Sequence, residues 1–87
     1  MLELSPEARR VMKAGAEVSA LLYRHPEVTA FLPRRYRLVI LLLEDPEALA
    51  WSLGQGSGEE PVVYALVRGN RVEGLLTPHG PLALRAA

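Results

Sequence analysis

Residues 38–51 read LVILLLEDPEALAW. Six apolar residues without alternation, Leu38 to Leu43, have the pattern of a strand buried on both faces. The run stops at Glu44 and Asp45, and acids at a strand end suit either chemistry or a helix cap. Asp45-Pro46-Glu47 has the grammar of a cap. An aspartate oxygen accepts a free backbone N–H, proline is pre-organised for the first helical position, and glutamate favours the positive end of the helix dipole. Ser5-Pro6-Glu7 repeats that grammar, and His25-Pro26-Glu27 repeats its last two members. The three prolines stand twenty residues apart, but the residues after them share no pattern, so they mark helix starts rather than a sequence repeat. The stretch therefore predicts a strand over Tyr36–Leu43 and a short helix over Pro46–Leu53, ended by Gly54.

On the N-terminal side, Ala8, Val11, Met12, Gly15, Val18, Ser19 and Leu22 recur at helical spacing and predict a helix from Pro6 to Tyr23. His25 ends it, because a residue before proline is pushed out of the helical region. In residues 27–32 the Pro26-Glu27 start favours one helical turn, while Val28, Thr29 and Phe31 would suit a strand. The helical turn is preferred. On the C-terminal side, GQGSGEE (54–60) is a loop, and PVVYALVRGNRVEGLLT (61–77) is a hairpin turning at Gly69-Asn70, two residues that tolerate positive φ. Pairing across that turn sets Val67 against Val72, Ala65 against Gly74 and Val63 against Leu76, an apolar face to pack on the helices. Tyr64, Leu66, Arg68, Arg71, Glu73 and Leu75 fall on the other face. Pro78 is expected to break the sheet ahead of a short helical tail.

Eighty-seven residues make a single domain, 1–87. A chain this short buries only about 60–65% of its unfolded surface, yet 49% of its residues are hydrophobic. That excess favours a homo-oligomer. There is no cysteine, which excludes disulfides, thiolate metal sites and thiol redox chemistry. No signal-peptide pattern is present and the longest apolar run is too short to cross a bilayer, so the expectation is cytoplasmic, without membrane contact. Ten basic and ten acidic residues cancel, and no global field draws nucleic acid. The charge is unevenly spread: residues 44–67 carry five acids and no base. Asn70 and Gln55 are the only side-chain amides, a scarcity that suits a thermophile, although Arg, Leu and Ala richness equally suits a GC-rich genome.

The second half resembles the C-terminal half of a thioredoxin-like domain. In that family a strand ends in an acidic corner before a short helix, and a loop then leads to a cis proline followed by a hairpin. The matching pieces are YRLVILLLEDPEALAWSLG, then Pro61 with VVYALVR, Gly69-Asn70 and RVEGLL, about residues 36–77. The C-x-x-C motif is missing and so is the N-terminal βα unit. The strand that normally flanks Tyr36–Leu43 is therefore absent, replaced or supplied by another subunit. What the resemblance implies is a binding role at Glu60, Pro61 and Val62, where the family holds an extended polypeptide through backbone hydrogen bonds.

Glu44, Asp45, Glu47, Glu59 and Glu60 are the one concentration of acid, and carboxylates can hold Mg²⁺ or do acid–base work. Capping and loop solvation already account for them. Arg34, Arg35 and Arg37 beside Tyr36, and Arg68 facing Arg71 across the hairpin, form candidate anion-binding pairs, although solvated charge is the more ordinary use of surface arginine. GQGSG lacks the lysine and the following helix of a phosphate loop. No histidine or serine has a catalytic neighbour at useful spacing.

The sequence thus predicts a small α/β or α+β domain: N-terminal helix, buried central strand, short helix and C-terminal hairpin. The function it favours is a non-catalytic, redox-inactive thioredoxin-like interaction domain that self-associates or holds an extended peptide segment. No cofactor, no metal and no catalytic residue are assigned. A small acidic-site metal-dependent enzyme, or a weak nucleic-acid module acting through the arginines, is the alternative.

Overall fold

The computed structural model describes residues 5–55, 58–69 and 71–83. Helix α1 spans Pro6–Arg24 and starts where Ser5 Oγ accepts the Ala8 N–H at 3.1 Å. It ends at His25, whose N–H reaches the carbonyls of Leu21 and Leu22. Its buried stripe is Ala8, Val11, Val18 and Leu22, at helical spacing; of the other residues expected on it, Gly15 is half-buried, but Met12, 59% exposed, and Ser19 face outward. Residues Pro26–Thr29 form the single turn α2, in which Thr29 Oγ1 donates back to the Pro26 carbonyl at 2.8 Å. Strand β1 follows at Arg37–Leu42, and α3 at Pro46–Leu53 with Asp45 as its cap. Then come β2 at Val62–Arg68, β3 at Arg71–Thr77 and β4 at Gly80–Ala83.

The four strands form one sheet in the order β1-β2-β3-β4. β1 lies parallel to β2, and the remaining pairs are antiparallel. The predicted mixed α/β domain is therefore what forms, with two details decided otherwise. β1 is buried, as its unbroken apolar run requires, but it sits at the sheet edge rather than in the centre. It also pairs β2 directly, which leaves no gap for a missing strand between them.

The parallel ladder takes the Arg37 N–H to Pro61 O and the Leu43 N–H to Val67 O, both at 2.8 Å. By alternation, Leu38, Ile40 and Leu42 turn their peptide groups to the outer edge. Val39, Ile40 and Leu41 are 4, 5 and 8% exposed, and the Leu42 carbonyl accepts the Asp45 N–H at 3.1 Å. Among the described residues the outer edge of Tyr36–Leu43 carries no further strand, and α3 packs against β1 from the core side.

The core joins Val11, Val18 and Leu22 of α1 and Ala48 of α3 to Ile40, Val63, Ala65, Val67 and Leu75 of the sheet, with Trp51 packed against it. The hairpin register corrects the expected one. Val67 faces Val72 and Arg68 faces Arg71, but Leu66 faces Gly74, Ala65 faces Leu75 and Tyr64 faces Leu76. A register shift at Leu66/Val67 leaves Glu73 as an extra residue on β3. One inserted residue flips every later side chain to the opposite face. Leu75 is therefore the core residue and Leu76 the outward one, the reverse of simple alternation from the turn. Gly74 accommodates the neighbouring strand, since a Cβ there would stand 3.0 Å from the Leu82 carbonyl oxygen.

The chain after Pro78 is also not helical as far as Ala83. Thr77 Oγ1 accepts the His79 N–H at 3.1 Å and donates to the Gly80 carbonyl at 2.8 Å, turning the chain back into β4. The proline thus sits in a hairpin turn, where its missing N–H costs no ladder bond. Asn70 and the last four residues of the expected tail lie outside the described residues.

Candidate functional site

Asp45 is engaged structurally. Its Oδ1 accepts the Ala48 N–H at 3.1 Å, and its two oxygens take the Arg10 guanidinium at 2.5 and 3.2 Å. The Arg10 hydrogen bond, followed by the Ala48 N–H, holds its carboxyl below the ordinary value of 3.8. The same hydrogen bond raises Arg10. Glu47 stands 4.0 Å from Arg10.

The other two acids of the concentration, Glu59 and Glu60, precede β2. Since β1 and β2 are parallel, they lie at the opposite end of the sheet from Glu44 and Asp45. The five acids do not meet, and among the described residues no three His, Asp or Glu gather as a metal site would need.

The arginines separate in the same way. Arg34 and Arg35 are exposed ahead of β1, whereas Arg68 and Arg71 stand at the far end of β2 and β3, about 20 Å away along the strands. Tyr36 packs on the core, so it offers no free ring beside its arginines. Arg68 Nε donates to Glu73 Oε1 at 3.0 Å, the bulged residue answering the like charge across the hairpin. Arg71 is exposed and has no ion-pair partner among the described residues.

Glu60, Pro61 and Val62 lead into an interior strand. The Pro61 carbonyl is taken by Arg37, and Val62 is register partner to Arg37. No described peptide bond is cis, so Pro61 lacks the cis geometry on which the thioredoxin-derived peptide site depends.

The structure singles out a surface that residue types alone did not. By strand alternation, the sheet face turned away from the core cluster carries Val39, Leu41, Val62, Tyr64, Leu66, Leu76 and Pro81. Val39 and Leu41 are buried there, Val62, Tyr64 and Leu66 are half-buried, and Leu76 is 39% exposed. Polar side chains appear only at the ends of this face, with Arg68, Arg71 and Glu73 at the hairpin end. The signal in the sequence was VVYALVR, apolar at six successive positions where a one-sided strand would alternate.

A second feature lies beneath α3. Ser52 is 1% exposed, and its Oγ has no hydrogen-bond partner among the described residues. It lines a crevice with Val39, Ile40, Trp51 and Gln55.

No helix of the described residues is long and apolar enough to cross a membrane. The comparison with proteins of curated function gives no match. Among solved structures, the chain is similar to a hypothetical protein from Thermus thermophilus, TTHC002, known from a crystal structure. The two share 30% identity at a TM-score of 0.60, over 83% of this chain and 98% of that one. A family profile matches residues 7–79, from the first turn of α1 into the β3–β4 turn, and the chain belongs to that family, DUF5647, a family of unknown function.

Proposed function

We propose that this chain is a non-catalytic protein-interaction domain that associates with a second copy of itself through the outer face of its sheet. The observation that carries the reading is the run of apolar residues at Val62, Tyr64, Leu66 and Leu76, on positions that water-facing strands fill with polar side chains. Strand addition is the weaker route to a partner. β4 is four residues long with Pro81 within it, and at the β1 edge the Leu42 carbonyl is already taken by the Asp45 N–H, features that discourage edge pairing. Pro61 is not cis, so the binding role is supported by the outer face of the sheet rather than by the thioredoxin-like peptide site.

The size of the face sets the expected strength. With Val39 and Leu41 of β1 already buried, the three strands β2–β4, about 4.8 Å apart with about six residues of 3.3 Å each, leave a face of roughly 300 Å². Two such faces bury on the order of 600 Å², well below the roughly 1,200 Å² of a standard specific interface, so the dimer is expected to be weak and transient. Light scattering or sedimentation equilibrium from micromolar to millimolar protein tests this. The wild type should move from monomer to dimer mass, and Leu66→Glu, which places a charge in the centre of the face, should stay monomeric. A wild type that remains monomeric throughout refutes the reading.

A further inference from the structure

The outer face is not symmetric in charge from one end to the other. At the hairpin end stand Arg68, Arg71 and Glu73, with Arg68 and Glu73 bound to each other, so Arg71 is the surplus charge. At the opposite end Glu59 and Glu60, both exposed, precede β2, and neither has an ion-pair partner among the described residues. Arg37 at that end is already engaged within the chain. Between the two ends the face is apolar.

We infer that the second copy packs face to face with its strands running antiparallel, so that Arg71 and Arg68 of each copy meet Glu60 and Glu59 of the other. The inference rests on the self-association proposed above and adds the orientation. Two ways of closing a two-fold pair are open to such a face. With the axis along the strands, like ends meet, Arg71 opposes its own copy and Glu60 does the same. With the axis across the strands, unlike ends meet twice, and complementary charge selects this arrangement.

The strand register locates the axis. Glu60, two residues ahead of β2, and Arg68, the last residue of β2, are each four positions from Tyr64 along the chain. Superposing each end on the opposite end of the other copy therefore brings Tyr64 close to the axis, with its register partner Leu76 beside it. An aromatic residue at the centre with charge confined to the rim is the distribution interfaces use: the centre holds the binding energy and the rim sets orientation.

The test is a charge swap read as a dimer dissociation constant at low salt. Arg71→Glu alone and Glu60→Arg alone should each weaken the dimer roughly ten-fold, because symmetry makes every reversal act twice. The double variant Arg71→Glu/Glu60→Arg should return to within about three-fold of wild type. Both positions are exposed, and far-UV circular dichroism checks that each variant keeps the fold. Single reversals that leave a wild-type-strength dimer overturn the antiparallel orientation while the self-association stands. A double variant weaker than either single one overturns the Arg–Glu pairing. A wild-type chain that never dimerises removes the proposed function as well.

Discussion

Truncating two adjacent leucines separates the two faces of the sheet. Leu75 is 1% exposed and belongs to the core cluster, whereas Leu76 is 39% exposed on the outer face. Removing a buried leucine side chain loses its transfer free energy and leaves a cavity, so Leu75→Ala should cost about 3 kcal/mol. Leu76 has no helix above it and rests on its strand neighbours, so Leu76→Ala should cost about 1 kcal/mol or less. A chain of this length has a total stability of roughly 4–13 kcal/mol, which makes the first change severe and the second mild. In thermal terms the expected losses are about 12–24 °C and at most about 4–8 °C.

Urea unfolding followed by circular dichroism and by the fluorescence of Trp51 measures both, at protein concentrations low enough to keep the chain monomeric. The association assay should rank the two the other way, with Leu76→Ala weakening the dimer more than Leu75→Ala. If Leu76→Ala destabilises as much as Leu75→Ala, the bulge at Glu73 is wrong, and so is the outer face built on the register beyond it.

The remaining expectations concern α3. Asp45 is held below its ordinary pKa, chiefly by Arg10. A depressed carboxylate adds stability that is fully present above the unfolded value and is lost as pH falls through the folded one. Asp45→Asn keeps a capping oxygen but drops the charge. Its deficit in urea midpoint relative to wild type should therefore be constant at neutral pH and shrink below about pH 4. A deficit that does not change with pH would show that the Arg10 pair adds no stability. Ser52→Ala removes a buried hydroxyl that has no partner among the described residues, so it should be neutral or stabilising by about 1 kcal/mol in the same urea experiment. A clear loss of stability would mean that the hydroxyl is bonded in solution.

Much of the fold was legible because it is written in local rules. Ser5-Pro6-Glu7 and Asp45-Pro46-Glu47 fix helix starts through capping and proline geometry, effects that act within one turn of the chain. The α1 stripe and the apolar run of β1 are periodicities; Ala8, Val11, Val18, Leu22 and the middle of β1 are buried as they require, whereas Met12 and Ser19, expected on the same stripe, lie exposed at its border. Asp45 was read as a cap rather than a catalytic acid on the same grounds. Its long-range partner Arg10 was not, because nothing local ties positions 35 residues apart.

Register and cover lay beyond the reach of those local rules. Leu75 and Leu76 are the same residue type, and only the cross-strand pairing that leaves Glu73 extra determines which one points inward. The β1 run demanded burial without saying by what, and α1 and α3 packed against β1 supply it on the core side. The apolar second side of VVYALVR was visible as composition. Whether it formed a core or a surface depended on how many helices the chain had left to cover it. Both helices that join the core lie on one side of the sheet. Elements and their caps were thus set by the residues alone, through forces that act within a turn or two of chain. Which apolar side chains were left facing out was set only when strands paired and helices docked, because those contacts join residues far apart in sequence.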